Sequence, residues 1–167
     1  MGLMSERLSV AVSKTECQMA QIVLPTHTNN HDTCFGGQIA AWADICAGIS
    51  ANRFCRRPVV TASMDELHFL RPVKRGMVVL LQSQVNQSWS TSLEVGVRIV
   101  AEDPVTGERM HCCSAYLTFV ALASDSRPTR VPLPDFEGNT EWERRGREAN
   151  ARREARLEMR KRREAGM

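Results

Sequence analysis

The most constraining feature of the sequence is an apolar stretch, FGGQIAAWADICAGISANRF, that runs from Phe35 to Phe54. Apart from Arg53 near its end, it carries one charged side chain, the carboxylate of Asp44. The stretch predicts a helix over residues 37–53, about 25 Å long at 1.5 Å per residue. A helix that is apolar on every side is normally buried, and a buried carboxylate is costly unless it is paired, protonated or used in chemistry. Asp44 is therefore the first candidate functional residue.

The two sides of this helix differ in the size of their side chains. The large apolar residues form one stripe suited to packing against a sheet: Ile39, Trp42, Cys46, Ile49 and Phe54. The residues that surround Asp44 at helical spacing are all small: Ala40, Ala41, Ala47, Gly48 and Ala51. A partner chain or a ligand is expected to fill the space beside the carboxylate. The alternative is a structural ion pair between Asp44 and an arginine from elsewhere in the chain.

The start of the helix suggests a second functional group. No Ser, Thr, Asp or Asn directly precedes Gly36 and Gly37, so the first N–H groups of the helix are expected to be free to face a ligand carbonyl. With a lone carboxylate two turns further on, this pattern resembles an oxyanion donor beside a general base. A tight turn is the plainer interpretation of the glycine pair.

Strand-like segments lie on both sides of the helix. One precedes it and four follow it: Cys17–Leu24, Val59–Leu70, Met77–Trp89, Ser92–Asp103 and Arg109–Ala121. The last four are consecutive and are separated by turn residues, which predicts an antiparallel sheet packed against the long helix. The predicted fold class is therefore α+β.

The rest of the chain divides around this unit. We expect a flexible N-terminus over residues 1–15, a folded domain over 16–123, a linker over 124–139 and a basic C-terminal helix over 140–167. From Glu141 to Glu164 the tail holds ten Lys/Arg against six Glu. Because the glutamates are mixed in and aromatic residues are not interleaved, a solvated helix is favoured over a nucleic-acid-binding segment.

The composition indicates the cellular location of the protein. Six cysteines without a C-x-x-C pair or a secretory leader predict reduced thiols and a cytoplasmic location, with an organelle as the alternative. No apolar run approaches the ~20 residues that a membrane-spanning helix needs, so no membrane insertion is expected. We predict no metal site and no cofactor.

Three segments together resemble a known family. They are LPTHTNNHDTCFGGQIAAWAD, VVTASMDELHFLRPVKRGMVVLLQSQV and STSLEVGVRI. They resemble the hotdog-fold acyl-CoA thioesterases, and in particular the branch of the animal cytosolic acetyl-CoA hydrolase and the brown-fat-inducible thioesterase. The resemblance covers about Glu16 to Leu157. It implies a hotdog fold, in which a five-stranded antiparallel sheet wraps a long central helix, and hydrolysis of acyl-CoA to a free acid and CoA.

The resemblance also implies roles for particular residues. Asp44 matches the acidic residue on the central helix that activates water against the thioester. Asn29 matches a loop asparagine, Gly37 matches the backbone donor at the helix start, and Thr33 stands where relatives place a second polar group. The resemblance implies coenzyme A contacts at Ala62, Ser63, Met64, Thr91, Ser92 and Leu93, and phosphate contacts at Arg152, Arg153 and Arg156. We also expect an obligate homo-oligomer, a homodimer or a trimer of dimers, because a single hotdog unit leaves the small-residue side of its helix and a sheet edge uncovered.

Two positions depart from the family pattern. Asp32 stands where the loop usually has glycine, which is expected to alter the loop backbone. Glu154 stands where relatives often have a lysine or arginine that faces a CoA phosphate, so the phosphate contacts are assigned to the neighbouring arginines. Animal relatives of this branch carry two hotdog units in tandem and a lipid-binding domain, whereas the present sequence has one unit.

Other functions compete with thioester hydrolysis. A hotdog hydratase would place a histidine on the central helix, and the sequence has none between His31 and His68. The alternative outside the enzymes is a catalytically weak acyl-CoA-binding protein or a structural subunit of a larger assembly. The sequence leaves the acyl chain length open.

Overall fold

The computed structural model describes residues 7–65 and 67–166. The strands are β1 (Ser9–Ala11), β2 (Cys17–Ile22), β3 (Val59–Met64), β4 (Val78–Ser88), β5 (Ser92–Glu102), β6 (Arg109–Ala121) and β7 (Leu133–Asp135). The helices are α1 (Gly36–Cys55) and α2 (Thr140–Ala165), with 3₁₀ turns at Val12–Thr15 and Pro25–His27. None of the described helices is both long and apolar enough to cross a membrane.

Five of the strands form one antiparallel sheet around α1. Their order is β2-β4-β5-β6-β3, which places β3 at one edge and β2 at the other. Helix α1 contacts all five strands. The α+β architecture expected from the sequence is confirmed, since every strand pairing in this sheet is antiparallel and the long helix packs against it.

The core forms between the sheet and the side of α1 that carries the large apolar side chains. Ile39, Trp42 and Phe54 are at most 5% exposed, as the spacing predicts. The predicted stripe of small residues is narrower than expected, because Ala47 and Ala51 are fully buried. Their short side chains allow α1 to approach the sheet closely, and only the side of the helix beyond them remains open.

The N-terminal segment differs from the expected flexible terminus. Within the described residues, β1 pairs in parallel with β7, and Val12 and Thr15 are fully buried. The hydroxyl of Thr15 accepts a hydrogen bond from the Val85 N–H at 3.1 Å, where β4 has a register shift. This side chain therefore satisfies a backbone donor that the sheet ladder leaves unpaired.

The predicted linker also contains structure. It includes β7, and its end forms the start of α2, where the Asn139 side chain accepts hydrogen bonds from the N–H groups of Glu141 and Trp142. Helix α2 then packs against the body through Gly146 and Ala149, which are buried. A Cβ atom at Gly146 would lie 2.8 Å from the Phe136 ring. The absence of a side chain at this position therefore permits the close packing of α2.

Candidate functional site

The carboxylate of Asp44 lies at the boundary between the covered and open sides of α1. It is partly exposed, and its Oδ1 accepts a hydrogen bond of 2.7 Å from the hydroxyl of Thr61 on β3. Within the described residues, no arginine, lysine or histidine forms an ion pair with Asp44. The structural ion pair considered from the sequence therefore has no cation among these residues. The geometry leaves one carboxylate oxygen available to water or substrate.

The position of Thr61 is defined by an irregularity of the edge strand. The register of β3 on β6 shifts between Thr61 and Ser63, so Ala62 is the extra residue of a bulge. Bulges commonly redirect side chains beside functional sites. Sequence reasoning placed Ala62 and Ser63 at the site but missed Thr61. The only available signal was its position directly before that segment, because its contact with Asp44 depends on how β3 packs beside α1.

The start of α1 has the uncapped geometry that the sequence predicts. Phe35, at the N-cap position, makes no side-chain cap. Among the described residues no acceptor binds the N–H of Gly36 or Gly37. Gly37 is exposed, and no atom lies within 4 Å of the position its Cβ would take. These N–H groups can receive an anion or a polarised carbonyl oxygen.

The distance between these N–H groups and Asp44 corrects one expectation. Seven residues of helix separate Gly37 from Asp44, which corresponds to about 10 Å along the axis at 1.5 Å per residue. A general base and an oxyanion donor must both lie about 3 Å from the atoms of one reacting group. The two features of a single copy therefore do not lie beside each other, and they cannot serve the same thioester.

The loop before α1 is organised by Asn29. Its Oδ1 accepts hydrogen bonds from the N–H of His31 and from both the N–H and the hydroxyl of Thr33. The Nδ2 group of Asn29 donates to no acceptor in the described part of the chain, so it is available to a ligand. No hydrogen bond in this part connects Asn29 or Thr33 with Asp44.

The backbone at Asp32 adopts a conformation that favours glycine. Its φ angle is +58°, within the left-handed region that glycine adopts at the lowest cost. Aspartate is among the residues that tolerate this region best, and Arg75 Nε lies 3.3 Å from its carboxylate. The loop thus keeps the backbone turn that a glycine would provide, so the sequence departure does not require another loop path.

Two of the three predicted phosphate-binding arginines are already paired with carboxylates. Arg152 donates to Glu94 at 2.7 and 3.2 Å, and Arg156 donates to Asp65 at 2.8 Å and to Glu94 at 3.3 Å. Glu94 is fully buried, and burial raises the pKa of Asp65 against the opposing effect of Arg156. The pairing satisfies a carboxylate that could not otherwise remain buried, and it attaches α2 to the sheet.

Arg153 has a different environment from these two arginines. Its guanidinium lies over the ring of Trp89, 4.8 Å from the ring centre, and it pairs with no carboxylate among the described residues. The nearby Thr91 and Ser92 are half-buried, whereas Leu93 is fully buried in the core. Of the predicted CoA contacts in this region, Arg153 is therefore the best placed to meet a phosphate, and Leu93 could contribute only its backbone.

Three buried cysteines are poor candidates for a nucleophile at this site. Burial raises the pKa of Cys34, Cys46 and Cys55 to about 11, so these thiols stay protonated near neutral pH. Within residues 7–65 and 67–166, no group of three or more His, Cys, Asp or Glu side chains is placed to hold a metal ion. Asp44, by contrast, keeps a partly exposed carboxylate that makes no ion pair with another described residue.

The fold and the site define a class of protein. A five-stranded antiparallel sheet curled around one long helix is the hotdog fold. Near the middle of that helix lies a carboxylate that pairs with no cation among the described residues. Residues 31–108 match the family model described as the thioesterase superfamily. The chain belongs to this superfamily of hotdog-fold thioesterases.

Two curated relatives show how far the similarity extends. The chain is 46% identical over 121 residues to the uncharacterized acyl-CoA thioester hydrolase YkhA of Bacillus subtilis. This match covers 72% of this chain and 69% of the relative. It is 35% identical over 147 residues to the acetyl-coenzyme A thioesterase of Mus musculus, covering 86% of this chain. The chain spans only 26% of the length of that mouse protein.

Solved structures give the same assignment. The acyl-CoA hydrolase of Staphylococcus aureus, solved in complex with butyryl coenzyme A and coenzyme A, matches with a TM-score of 0.87 and 31% identity. The match covers 94% of this chain and 95% of that one. Variants of that hydrolase with an aspartate, an asparagine or a threonine replaced by alanine were also solved. An apo-hexameric acyl-CoA thioesterase matches with a TM-score of 0.86, 32% identity and coverage of 91% of this chain and 97% of that chain.

Proposed function

We propose that the protein hydrolyses acyl-CoA thioesters to a free carboxylic acid and CoA, with Asp44 as the general base. The observation that carries this proposal is the Asp44 carboxylate, which is partly exposed, oriented by Thr61 and not neutralised by a cation in the described residues. The relatives named acyl-CoA hydrolases support the substrate class. The residue types replaced in the Staphylococcus aureus hydrolase are also those of Asp44, Asn29 and Thr61 in this chain.

The proposed reaction follows from these positions. The hydroxyl of Thr61 holds one oxygen of Asp44, and the other oxygen accepts a proton from a water molecule. The water oxygen attacks the thioester carbonyl carbon, and the carbonyl oxygen takes up negative charge. N–H groups such as that of Gly37 stabilise this oxyanion. The C–S bond then breaks, and the proton held by Asp44 returns to the departing CoA thiolate.

A second copy of the chain is needed to complete such a site. The Gly37 N–H lies about 10 Å along α1 from Asp44, so the donor that serves Asp44 must come from another copy. The surface around Asp44 is suited to such pairing, because β3 is an open sheet edge and Val60 and Ile45 are 46% and 55% exposed. We therefore propose a homodimer in which each active site combines Asp44 of one copy with Gly37 and Asn29 of the other.

Mixed dimers test this arrangement directly. Asp44→Asn and Asn29→Ala homodimers are each expected to be nearly inactive, whereas a mixture after subunit exchange should recover about a quarter of the wild-type activity. Half of the randomly mixed dimers are hybrids, and each hybrid has one intact site. A mixture no more active than its parents would place the whole site within one copy. A stable folded monomer in light scattering at micromolar concentration would exclude the dimer itself.

The role of Arg153 gives a second prediction for this function. Arg153→Ala is expected to raise KM several-fold while kcat changes little, because the contact is made equally in the ground state and the transition state. Arg147 on the same helix is exposed and forms no ion pair in the described residues, so Arg147→Ala is a matched control. Steady-state kinetics with acetyl-CoA and longer acyl-CoAs measures both values. Equal KM values for the two variants would remove Arg153 from the CoA site.

The alternative function is a catalytically weak acyl-CoA-binding protein or a structural subunit. It predicts saturable binding of acyl-CoA without turnover. The release of free CoA thiol from a series of substrates from acetyl-CoA to palmitoyl-CoA separates the two functions, and it also gives the chain-length preference.

A further inference from the structure

The edge strand β3 carries Thr61 and is interrupted directly after it. Among the described strands, β3 pairs with β6 alone, and its register shifts after Thr61, so Ala62 is left without a partner in the ladder. Pairing resumes at Ser63, opposite Thr118. A bulge bends its strand and interrupts the ladder, so the two halves of β3 are not held to each other by continuous pairing. The position of the Thr61 hydroxyl, 2.7 Å from Asp44, therefore depends on how the half of β3 beyond the bulge is fixed.

That half of β3 is fixed by Asp65, the residue directly after the strand. Its N–H donates to the carbonyl of Tyr116 on β6 at 2.9 Å. Its carboxylate accepts hydrogen bonds from Nη1 of Arg156 at 2.8 and 3.1 Å. The two side chains are only 19% and 22% exposed, so water screens this ion pair little. The same Nη1 donates to Glu94 at 3.3 Å, which is fully buried on β5. Asp65 thus ties the end of β3 to α2 and, through Arg156, to the centre of the sheet.

Of the two arginines in this network, one reaches β3. Arg152 pairs with Glu94 and lies over the ring of Tyr116, 3.7 Å from its centre. Arg156 also pairs with Glu94, but of the two only Arg156 forms an ion pair with Asp65. Both arginines attach α2 to the sheet. A change at Asp65 therefore removes the link to β3 while Arg152 still holds the helix.

Asp65 itself does not touch the proposed general base. Among the described residues, no hydrogen bond or ion pair joins Asp65 with Thr61 or Asp44. Four residues of strand separate Asp65 from Thr61, about 13 Å at 3.3 Å per residue, which exceeds the Debye length of about 8 Å at physiological salt. Asp65 is therefore placed to act on the base through the backbone of β3 rather than through its own charge.

We propose that Asp65 and Arg156 are positioning residues for the reaction. Their ion pair fixes β3 beyond the bulge, and this keeps the Thr61 hydroxyl directed at Asp44. The inference rests on the proposed function, in which Asp44 is the general base. It gives Arg156 a partner within the chain, in place of the CoA phosphate that the resemblance implies.

A double-mutant cycle on kcat tests the proposal. Asp65→Asn keeps the shape of the side chain and removes its charge, and Thr61→Val removes the hydroxyl and keeps the shape. Each change alone is expected to lower kcat about tenfold and to leave KM within about twofold, because the orientation of the base matters in the transition state. The double variant should be no slower than Thr61→Val, since no hydroxyl is left for Asp65 to position. Independent effects would instead multiply to a loss of about a hundredfold.

A second measurement does not depend on turnover. Hydrogen exchange of the β3 amides, followed by mass spectrometry, should be at least about tenfold faster in Asp65→Asn than in the wild type. Thr15→Val is the matched control, because it removes a buried hydroxyl beside the register shift of β4 and so perturbs the sheet at another irregularity. It should leave kcat and β3 exchange unchanged. If Asp65→Asn does not fold, Asp65→Glu, which displaces the carboxylate by one CH₂ group, replaces it in both measurements with the same expected results.

The remaining outcomes separate this inference from the proposed function. Unchanged kcat in the Asp65 variant, multiplied losses in the double variant or an equal loss in Thr15→Val would each overturn the positioning role, while turnover by the wild type keeps the proposed function. Unchanged β3 exchange would overturn the positioning role as well. If the wild type shows no turnover but the Asp65 variant exchanges its β3 amides faster, the anchoring of β3 by Asp65 is kept and the proposed function is removed.

Discussion

Asp44→Asn is expected to lower kcat by about 10²- to 10⁴-fold, the range attributed to loss of a general base. Asparagine keeps the shape of the side chain and an oxygen that can accept the Thr61 hydrogen bond, but it cannot take a proton from water at neutral pH. KM should change little, because the lost interaction belongs to the transition state. Thiol release at saturating acyl-CoA measures the effect.

Stability measurements separate a catalytic from a structural role for Asp44. The melting temperature of Asp44→Asn should stay close to that of the wild type, because the structure shows no ion pair for this carboxylate to lose among the described residues. Asp125→Asn, a change at an exposed carboxylate, is the control and should leave both kcat and melting temperature unchanged. A destabilised Asp44→Asn protein with full turnover would overturn the catalytic assignment.

Glu94→Ala is expected to cost about 3–5 kcal/mol of folding free energy, the usual consequence of removing one partner from a buried ionic network. Glu94 is fully buried and accepts hydrogen bonds from Arg152, Arg156 and the Asn86 amide. Arg156 Nη2 has no hydrogen-bond partner among the described residues, so the change would leave more of this guanidinium unsatisfied. Chemical denaturation followed by circular dichroism measures the loss.

A second glutamate on β5 provides the control for this prediction. Glu102 is paired with Arg109 at 2.5 Å near the surface, where Arg109 is 65% exposed. Glu102→Ala should cost less than about 1 kcal/mol, as is usual for exposed ion pairs. If both variants lose the same small amount of stability, the Glu94 network does not attach α2 to the sheet.

The main elements of the fold were predictable because their patterns are long and regular. The apolar run of α1 and the strand alternation of β4 and β5 each extend over many residues, and both are found where the sequence places them. Strands β1 and β7 have three residues each, which is too short for a recognisable period. They form because the N-terminal segment and the predicted linker pair with each other.

The site was only partly predictable for a similar reason. The isolation of Asp44 in an apolar helix and the uncapped glycine pair are visible in the sequence, and the structure shows both in the expected local form. The contact of Thr61 with Asp44 depends on the packing of β3 beside α1. The burial of Glu94 under Arg152 depends on where α2 docks. Such contacts join residues that are far apart in the chain, so local sequence patterns do not predict them.

The rate of thiol release by the purified wild-type chain tests the central claim most directly. Acyl-CoAs from acetyl to palmitoyl are assayed near neutral pH, with folded Asp44→Asn at the same concentration as the protein blank. The account predicts saturable release for the wild type with at least one chain length, and release at least 10²-fold slower for Asp44→Asn. If the wild type binds acyl-CoA but releases thiol no faster than the blank at every chain length, the protein is a binding module and not a thioesterase.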